Sequence, residues 1–540
     1  MAKKLLELPL LLLLLVSLAV GLLTFKDYGL SWDEPLYYDY GSASQYAYSI
    51  SARLDGTFDI NKSFGASASD HVTRGPAYLL IGGLVEGLLE KLGLDMASAW
   101  HLTNFLTYLV GLTCFYLLIR LWLDPWPAAL STAFFASQPL LWNHAFINPK
   151  DMPFAVFFLI SMVLGIRMID EWGDRPKGFQ TILPGIFLGI TTSIRFIAPY
   201  IVFLLFFYFV TKCVTWGNVI LSAKNVILSA SEESRTSRFT ITPRWKTIWA
   251  FIPYGVVAIV TMIVLWPFLW SNPIGQFLFT MQAMSETSAN LKMLFWGQAY
   301  HGYDLPRRYF PTLLLTTLTE PTWILFALGL VIAFVRSFQQ KVDRAKLGTL
   351  FLWFGIMIAL LVGVNPPNSD GYRHYLFMLP PVFLFAGFGI NELLKRITPQ
   401  WGKALAAFLL LLPALFNDVT LHPYQYAYYN SFIGGTKSAF RSYETDYWLT
   451  CYKEAVQDFN VKAPQDAVLF VKREPYIAAY YTRADIKVLD FRTDLKQAKS
   501  GDFVLINSRT NEDLQTMKGD PIYLEVARSG ATFCVIKQIP

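Results

Sequence analysis

Apolar runs broken by short polar connections dominate the first three quarters of the chain. They recur near residues 5–24, 98–122, 127–145, 152–169, 181–195, 197–211, 248–270, 311–335, 348–364, 374–391 and 403–417. A bilayer core takes roughly 20 apolar residues of helix, so the pattern predicts about eleven membrane spans, the shorter ones tilted or set in thinned bilayer. The stretch 76–92 is apolar too but carries Glu86, Glu90 and Lys91, and is read as an amphipathic helix lying on the outer surface. Beyond residue 418 charged residues become frequent. Short β-rich runs ("AVLFV", "IKVLD", "DFVLIN", "TFCVIK") alternate there with helical or turn segments. The predicted fold class is therefore an all-α polytopic membrane domain over 1–418 followed by a small soluble α/β domain over 419–540. That tail has no Gly-rich phosphate loop and no nucleophile elbow, which leaves it packing on the membrane part or recognising a partner.

The first run follows "MAKK" and would also suit a signal peptide, with Ser17-Leu18-Ala19 as a cleavage site; its length favours an uncleaved first helix. Orientation follows from the basic residues, because positively charged loops stay cytoplasmic. With the N-terminus inside, Lys3, Lys4, Arg120, Arg167, Lys212, Arg336, Lys346, Lys395, Arg396 and Lys403 all fall on the cytoplasmic side. The outer face receives few, and an odd number of spans puts the tail outside. Loop 212–247, which contains "NVILSA" twice (218–223 and 225–230), is then a cytoplasmic insertion with no catalytic role. The outer loop 25–97 holds the acidic pair Asp33 and Glu34.

Composition agrees with a membrane solvent. Of 540 residues 54% are hydrophobic and 16% charged, against roughly 25% charged in soluble chains. The net charge of +6 is scattered among apolar runs, which fits loops meeting anionic lipid and argues against nucleic acid. The four cysteines (Cys114, Cys213, Cys451, Cys534) show no metal-ligand spacing; Cys451 and Cys534 either pair or stay as free thiols.

Ionisable residues beside membrane segments are costly and point to function. On the outer side the predicted topology gathers Asp33 and Glu34 of "WDEP", Arg74 of "DHVTRGPAY", Lys150 and Asp151 of "NPKDMPFA", Arg195, Arg307 and Arg308, and Asp370, Arg373 and His374 of "SDGYRHYLF". Carboxylates and cations that meet on one face suit a lipid-phosphate sugar. The cations would hold the leaving phosphate and a carboxylate would take the proton of an attacking hydroxyl.

"WDEP" after the first span, the Arg-Gly-Pro-Ala-Tyr run, "NPKDMPFA" opening a span, "GYRHYLFMLPPV" near the end and the late "HPYQYAYYNSFIGG" together resemble one family. It is the dolichyl-phosphate-mannose protein mannosyltransferase-like group, glycosyltransferase family 39 of the GT-C fold, in its bacterial phospholipid carrier-dependent form. The likeness covers most of the chain, apart from the 212–247 insertion. It implies inverting sugar transfer from a polyprenyl-phosphate donor to a protein, lipid or glycan acceptor at the outer face of a plasma (inner) membrane. It maps Asp33 as catalytic base or acceptor-orienting residue, with Glu34 and Asp151 as catalytic partners. Arg74 would face the donor phosphate, although this chain has Arg-Gly-Pro where Lys-Pro-Pro is commoner. Arg373, Arg307 and Lys150 are the further phosphate-binding candidates. Metal dependence stays open; a divalent cation, Mg²⁺ or Mn²⁺, would fall to Asp33 and Asp151.

Plainer readings stand beside these. Asp33 and Glu34 could serve a helix N-terminus, and Asp151 could cap its span. Arg195 reads as snorkelling, Arg307 and Arg308 as lipid anchors, His374 as a hydrogen-bonded loop residue, and Trp32, Tyr37, Tyr38 and Tyr40 as an interfacial belt. Two other classes remain: a transporter or flippase of lipid-linked saccharides, disfavoured by the lack of repeated halves, and a non-catalytic membrane scaffold.

Overall fold

The computed structural model describes residues 7–172, 177–216, 239–241, 243–287, 291–339 and 343–540. The repeated "NVILSA" segment lies outside the described residues. An antiparallel pair, β1 (Val214–Trp216) with β2 (Phe239–Ile241), closes the base of that loop.

The membrane part is built of helices whose ends follow from local chemistry. Six described helices are long and apolar enough to cross a bilayer: Met96–Ile119, Asp151–Glu171, Thr247–Val264, Pro321–Phe338, Arg344–Gly363 and Gln400–Thr420. Leu8–Thr24, Gly178–Ile194 and Tyr200–Cys213 are shorter apolar helices. The eleven apolar runs of the sequence are thus not eleven long helices, and proline is the main reason. Run 127–145 divides into Pro125–Ala136 and Pro139–His144, and run 311–335 into Tyr309–Thr316 and Pro321–Phe338. Gln138 before Pro139 is extended, as a residue before proline tends to be, and Pro139 and Pro321 each take the first turn of a new helix, where proline is favoured. Run 374–391 likewise opens with the short 3-10 segment Arg373–Met378, kinked at Tyr375, ahead of Pro380–Arg396.

Caps set other boundaries. Asp95 accepts from the amide of Ser98 at 3.1 Å and starts Met96–Ile119; Asp343 accepts from Ala345 and Lys346 and starts Arg344–Gly363. In lipid, helices associate through close packing more than through the hydrophobic effect, and small residues allow it. Pro321–Phe338 meets Pro380–Arg396 so closely that a Cβ on Gly329 would fall 1.7 Å from the Phe385 carbonyl oxygen. Outward faces stay apolar, as with Ile324, Val331 and Phe334, or Trp401, Phe408 and Phe416.

The segment read as a surface helix forms as Ala77–Lys91. It lays Gly82 and Gly83 against Trp100 and exposes Leu84 and Leu88.

The tail carries a five-stranded mixed sheet. Strands β5 (Val468–Val471), β6 (Lys487–Asp490), β7 (Phe503–Asn507), β8 (Ile522–Arg528) and β9 (Ala531–Gln538) run in the order β6-β5-β7-β9-β8. A short hairpin, β3 (Lys292–Phe295) with β4 (Gln298–His301), precedes it in the chain. Cys451 and Cys534 form a disulfide, while Cys114 and Cys213 are free and buried. One buried apolar cluster runs from the membrane helices into the tail without interruption. The joint is hydrogen-bonded as well: Asn143 donates to the Pro423 carbonyl at 2.7 Å, and Asn430 donates to the Leu315 and Leu318 carbonyls at 2.7 and 2.9 Å. The fold class expected from the sequence, helical membrane part and small α/β tail, is the one found.

Candidate active site

In "SWDEP" the proline sets the start of helix Glu34–Gln45, and the two acids on either side of that start diverge. Glu34 turns inward and is fully buried. Its Oε2 accepts from the Ser31 amide at 2.5 Å, and its Oε1 accepts from the Tyr38 hydroxyl at 2.8 Å and the Asn148 amide at 3.0 Å, with His101 Nε2 at 3.3 Å. Glu34 therefore ties three separate chain segments together and does not line the cavity that Asp33 faces. Asp33 turns the other way, makes no side-chain cap, and keeps 18% of its side chain exposed to a cavity of about 700 Å³. Among the described residues no donor lies within hydrogen-bond distance of its carboxylate. Burial raises its pKa above the ordinary aspartate value, against the pull of Arg373 and Arg74.

The second acidic loop is organised by Asn148, whose left-handed backbone (φ 62°) lets its Oδ1 accept from the amides of Lys150 at 2.9 Å and Asp151 at 3.0 Å. Asn148 thus caps helix Asp151–Glu171, and the Asp151 side chain is left for other partners. It takes two: Oδ1 accepts from Arg195, and Oδ2 from Arg373 Nη1 at 3.0 Å. Arg373 continues the chain of charge to Asp370 Oδ2 at 3.1 Å, and Asp370 Oδ1 lies 2.7 Å from Arg509 of the tail. The Arg373 guanidinium also stacks 4.3 Å from the Trp448 ring. Four elements remote in sequence are joined by this ladder of alternating charge.

Cations crowd the same cavity. Arg74 Nη1 donates to the Tyr37 hydroxyl at 2.7 Å, and Lys150 Nζ lies 5.2 Å from the Tyr37 ring. Arg195, Arg373, His71 and His374 complete the basic lining. Lys150 is held well below its ordinary pKa, first by burial and then by Arg74 and Arg195. His71 is pushed down to about 3 by burial, Arg74 and Lys150, and among the described residues both its ring nitrogens lack partners. The glycine in Arg-Gly-Pro has its own cause: a Cβ on Gly75 would lie 1.6 Å from the Ser193 carbonyl oxygen.

Of the residues singled out from the sequence, Asp33, Arg74, Lys150 and Arg373 line the cavity. Glu34 and Asp151 sit behind its wall as buried partners. Arg307 is exposed and lines no part of it; its neighbour Arg308 stacks 4.1 Å from Trp296. Arg195, read from the sequence as a snorkelling residue, is instead an ion-pair partner of Asp151. The tyrosines read as an interfacial belt are buried within the protein, Tyr38 stacking on Trp100 at 4.9 Å. Arg509, Glu474 and Tyr476, which bring the tail to the site, were beyond reach of span counting.

A divalent cation between Asp33 and Asp151 does not suit this donor set. Both oxygens of Asp151 are taken by guanidinium groups, and Arg373 Nη1 stands between the carboxylates, 3.0 Å from one and 3.8 Å from the other. Mg²⁺ or Mn²⁺ would need several oxygens there. Among the described residues no group of three or more His, Cys, Asp or Glu side chains is arranged to hold a metal.

No curated protein matches the chain. Residues 93–225 match the family model described as "Dolichyl-phosphate-mannose-protein mannosyltransferase". The crystal structure of the Archaeoglobus fulgidus oligosaccharyltransferase in complex with Zn and sulfate aligns over 89% of this chain and 62% of its own, at 11% identity and a TM-score of 0.44. The crystal structure of ArnT from Cupriavidus metallidurans bound to undecaprenyl phosphate aligns over 97% of each chain, at 14% identity and a TM-score of 0.50. Over nearly its whole length the chain is a membrane protein that shares the fold of this ArnT structure.

Proposed function

We propose that the chain is an integral-membrane glycosyltransferase that moves a sugar from a polyprenyl-phosphate donor to an acceptor hydroxyl, with inversion, at the extracytoplasmic face of a bacterial inner membrane. One observation carries this reading: Asp33, whose carboxylate accepts no hydrogen bond among the described residues, faces a cavity also lined by Arg74, Lys150, Arg195 and Arg373. A phosphate among those cations would relieve their mutual repulsion. The family match over residues 93–225 and the ArnT-like fold agree with it.

The step balances without any other reagent. The acceptor oxygen attacks the anomeric carbon as its proton passes to an Asp33 carboxylate oxygen. The bond from that carbon to the phosphate oxygen breaks, and its electron pair leaves with the phosphate, whose growing charge the cations stabilise. Asp151 and Asp370 hold Arg373 in place, and Glu34 holds the loop that carries Asp33.

The distribution of basic residues supports a cytoplasmic N-terminus and an extracytoplasmic tail, and the Cys451–Cys534 disulfide suits an oxidising compartment. The test is binding of undecaprenyl phosphate to the purified protein in detergent, together with sugar transfer by membranes. Binding that Arg74→Ala weakens by about tenfold, from loss of a charge-assisted hydrogen bond, supports the reading. Failure of the wild type to bind overturns it.

A further inference from the structure

The tail forms part of the cavity wall. Between β5 and helix Pro475–Tyr481 the chain turns so that Glu474 and Tyr476 line the same cavity as Asp33. Three hydrogen bonds clamp the segment just before Asp33 to this region: Tyr476 donates to the Trp32 carbonyl at 2.6 Å, the Trp32 amide to the Trp448 carbonyl at 3.1 Å, and the Leu30 amide to the Tyr481 hydroxyl at 2.9 Å. Burial raises the pKa of the Tyr476 hydroxyl, and the charges of Glu474 and Asp33, with a side-chain contact from Glu474, raise it further.

Glu474 is built at a cost. Its backbone is left-handed (φ 49°, ψ 63°) directly before a proline, where glycine or asparagine would be easier. Strain of this kind persists where the surrounding structure enforces it, and it gathers at functional sites. The adjacent Arg473 pairs with Glu512, and among the described residues no cation lies within ion-pair distance of the Glu474 carboxylate. The transmembrane part supplies the cations of the cavity, and the tail adds a hydrogen-bond acceptor.

We infer that Glu474 is a specificity-determining residue for the acceptor: its carboxylate accepts a hydrogen bond from a neutral, hydroxyl-bearing acceptor held beside Asp33. The inference rests on the transferase reading above. An anionic acceptor end would meet two carboxylates at this wall, whereas a hydroxyl satisfies both, giving one proton to Asp33 and a hydrogen bond from a neighbouring hydroxyl to Glu474.

Two variants test it, Glu474→Met, which keeps the length but removes the acceptor oxygens, and Glu474→Gly, which removes the side chain and relaxes the backbone. Transfer is measured with a panel of undecaprenyl-phosphate sugars, radiolabelled in the sugar, using increasing amounts of the host's own membranes as acceptor. Undecaprenyl phosphate binding is followed by thermal shift. The expected result is an apparent KM for acceptor raised by about tenfold or more in both variants, with undecaprenyl phosphate binding within about twofold of wild type, as for loss of one buried hydrogen bond to the acceptor alone. Unchanged acceptor KM in both variants overturns the assignment, as does an equal loss of undecaprenyl phosphate binding, which would put Glu474 on the donor side. A wild-type protein that neither binds undecaprenyl phosphate nor transfers any sugar of the panel overturns the transferase reading and this inference with it.

Discussion

Asp33 and Asp151 share one guanidinium: Arg373 Nη1 lies 3.8 Å from Asp33 Oδ2 and 3.0 Å from Asp151 Oδ2. The shorter contact is a buried hydrogen bond within a ladder, and the longer one leaves Asp33 unbonded at the cavity. Two carboxylates near one cation are thereby placed differently, one holding the cation and one left open to the cavity.

Asp33→Asn should therefore lower sugar transfer by about two to four orders of magnitude, the usual contribution of a positioned general base. It should leave the fold intact. Because burial raises the Asp33 pKa in the folded protein, its ionisation opposes folding. The favourable contribution of the protonated form is complete below the unfolded-state pKa and is lost as pH rises through the higher folded value. Thermal unfolding in detergent should accordingly show the asparagine variant as stable as wild type, or more so, near neutral pH. The acid limb of kcat against pH in the wild type should lie above the ordinary aspartate range. A variant that retains wild-type transfer would remove Asp33 from the chemistry.

Asp151→Asn should behave in the opposite way. Removing that carboxylate takes away the ion-pair partner of Arg195 and leaves Arg373 with Asp370 and, at 3.8 Å, Asp33. Loss of one member of a buried ion pair costs about 3–5 kcal/mol. The expected outcome is a marked fall in the unfolding temperature, together with lost transfer. Arg195→Gln placed in the Asp151→Asn background should restore part of the stability without restoring activity, which a double-mutant cycle would read as strong coupling.

Much of this was visible in the chain before its structure. The apolar runs marked where helices lie, and the sidedness of the acids placed Asp33, Arg74, Lys150 and Arg373 on one face; all four line the cavity. What could not be read was direction. Asp33 and Glu34 are adjacent and chemically alike, and only the turn before Pro35 decides that one faces the cavity while the other fixes Asn148 and Tyr38. Arg195 looked like a lone cation at a helix end because its partner, Asp151, is 44 residues away in sequence. The part played by the tail was hidden for the same reason: Arg509 reaches Asp370, and Tyr476 reaches Trp32, across separations that no local pattern encodes.

Breaking the tail disulfide should test that coupling. It links residues 83 apart in sequence, and a cross-link closing a loop of that order contributes about 2–4 kcal/mol to stability. Cys451→Ser should lower the unfolding temperature. Since the tail supplies part of the cavity wall, sugar transfer should also fall at temperatures where the membrane helices remain folded. Reduction with dithiothreitol should reproduce both effects in the wild type and neither in the variant. Unchanged transfer after complete reduction would show that the tail holds its place without the cross-link.

Glu444 offers a prediction that turns on pH. Its side chain is buried near Arg509, with Oε1 accepting from the Leu294 amide at 2.7 Å and Oε2 unpartnered. Burial, only partly offset by Arg509, raises its pKa from 4.5 to about 7. For an acid raised in this way the folded state holds its proton more tightly than the unfolded chain does. The resulting stability is complete below pH 4.5 and is lost as pH rises through about 7. A shift of this size corresponds to about 3 kcal/mol. Glu444→Gln, which keeps the neutral shape, should therefore match wild type near pH 4.5 and exceed it at pH 8, so the gap in unfolding temperature should open across the interval between them. A gap that does not change with pH would mean that Glu444 is already ionised throughout, with Arg509 as its effective counter-ion.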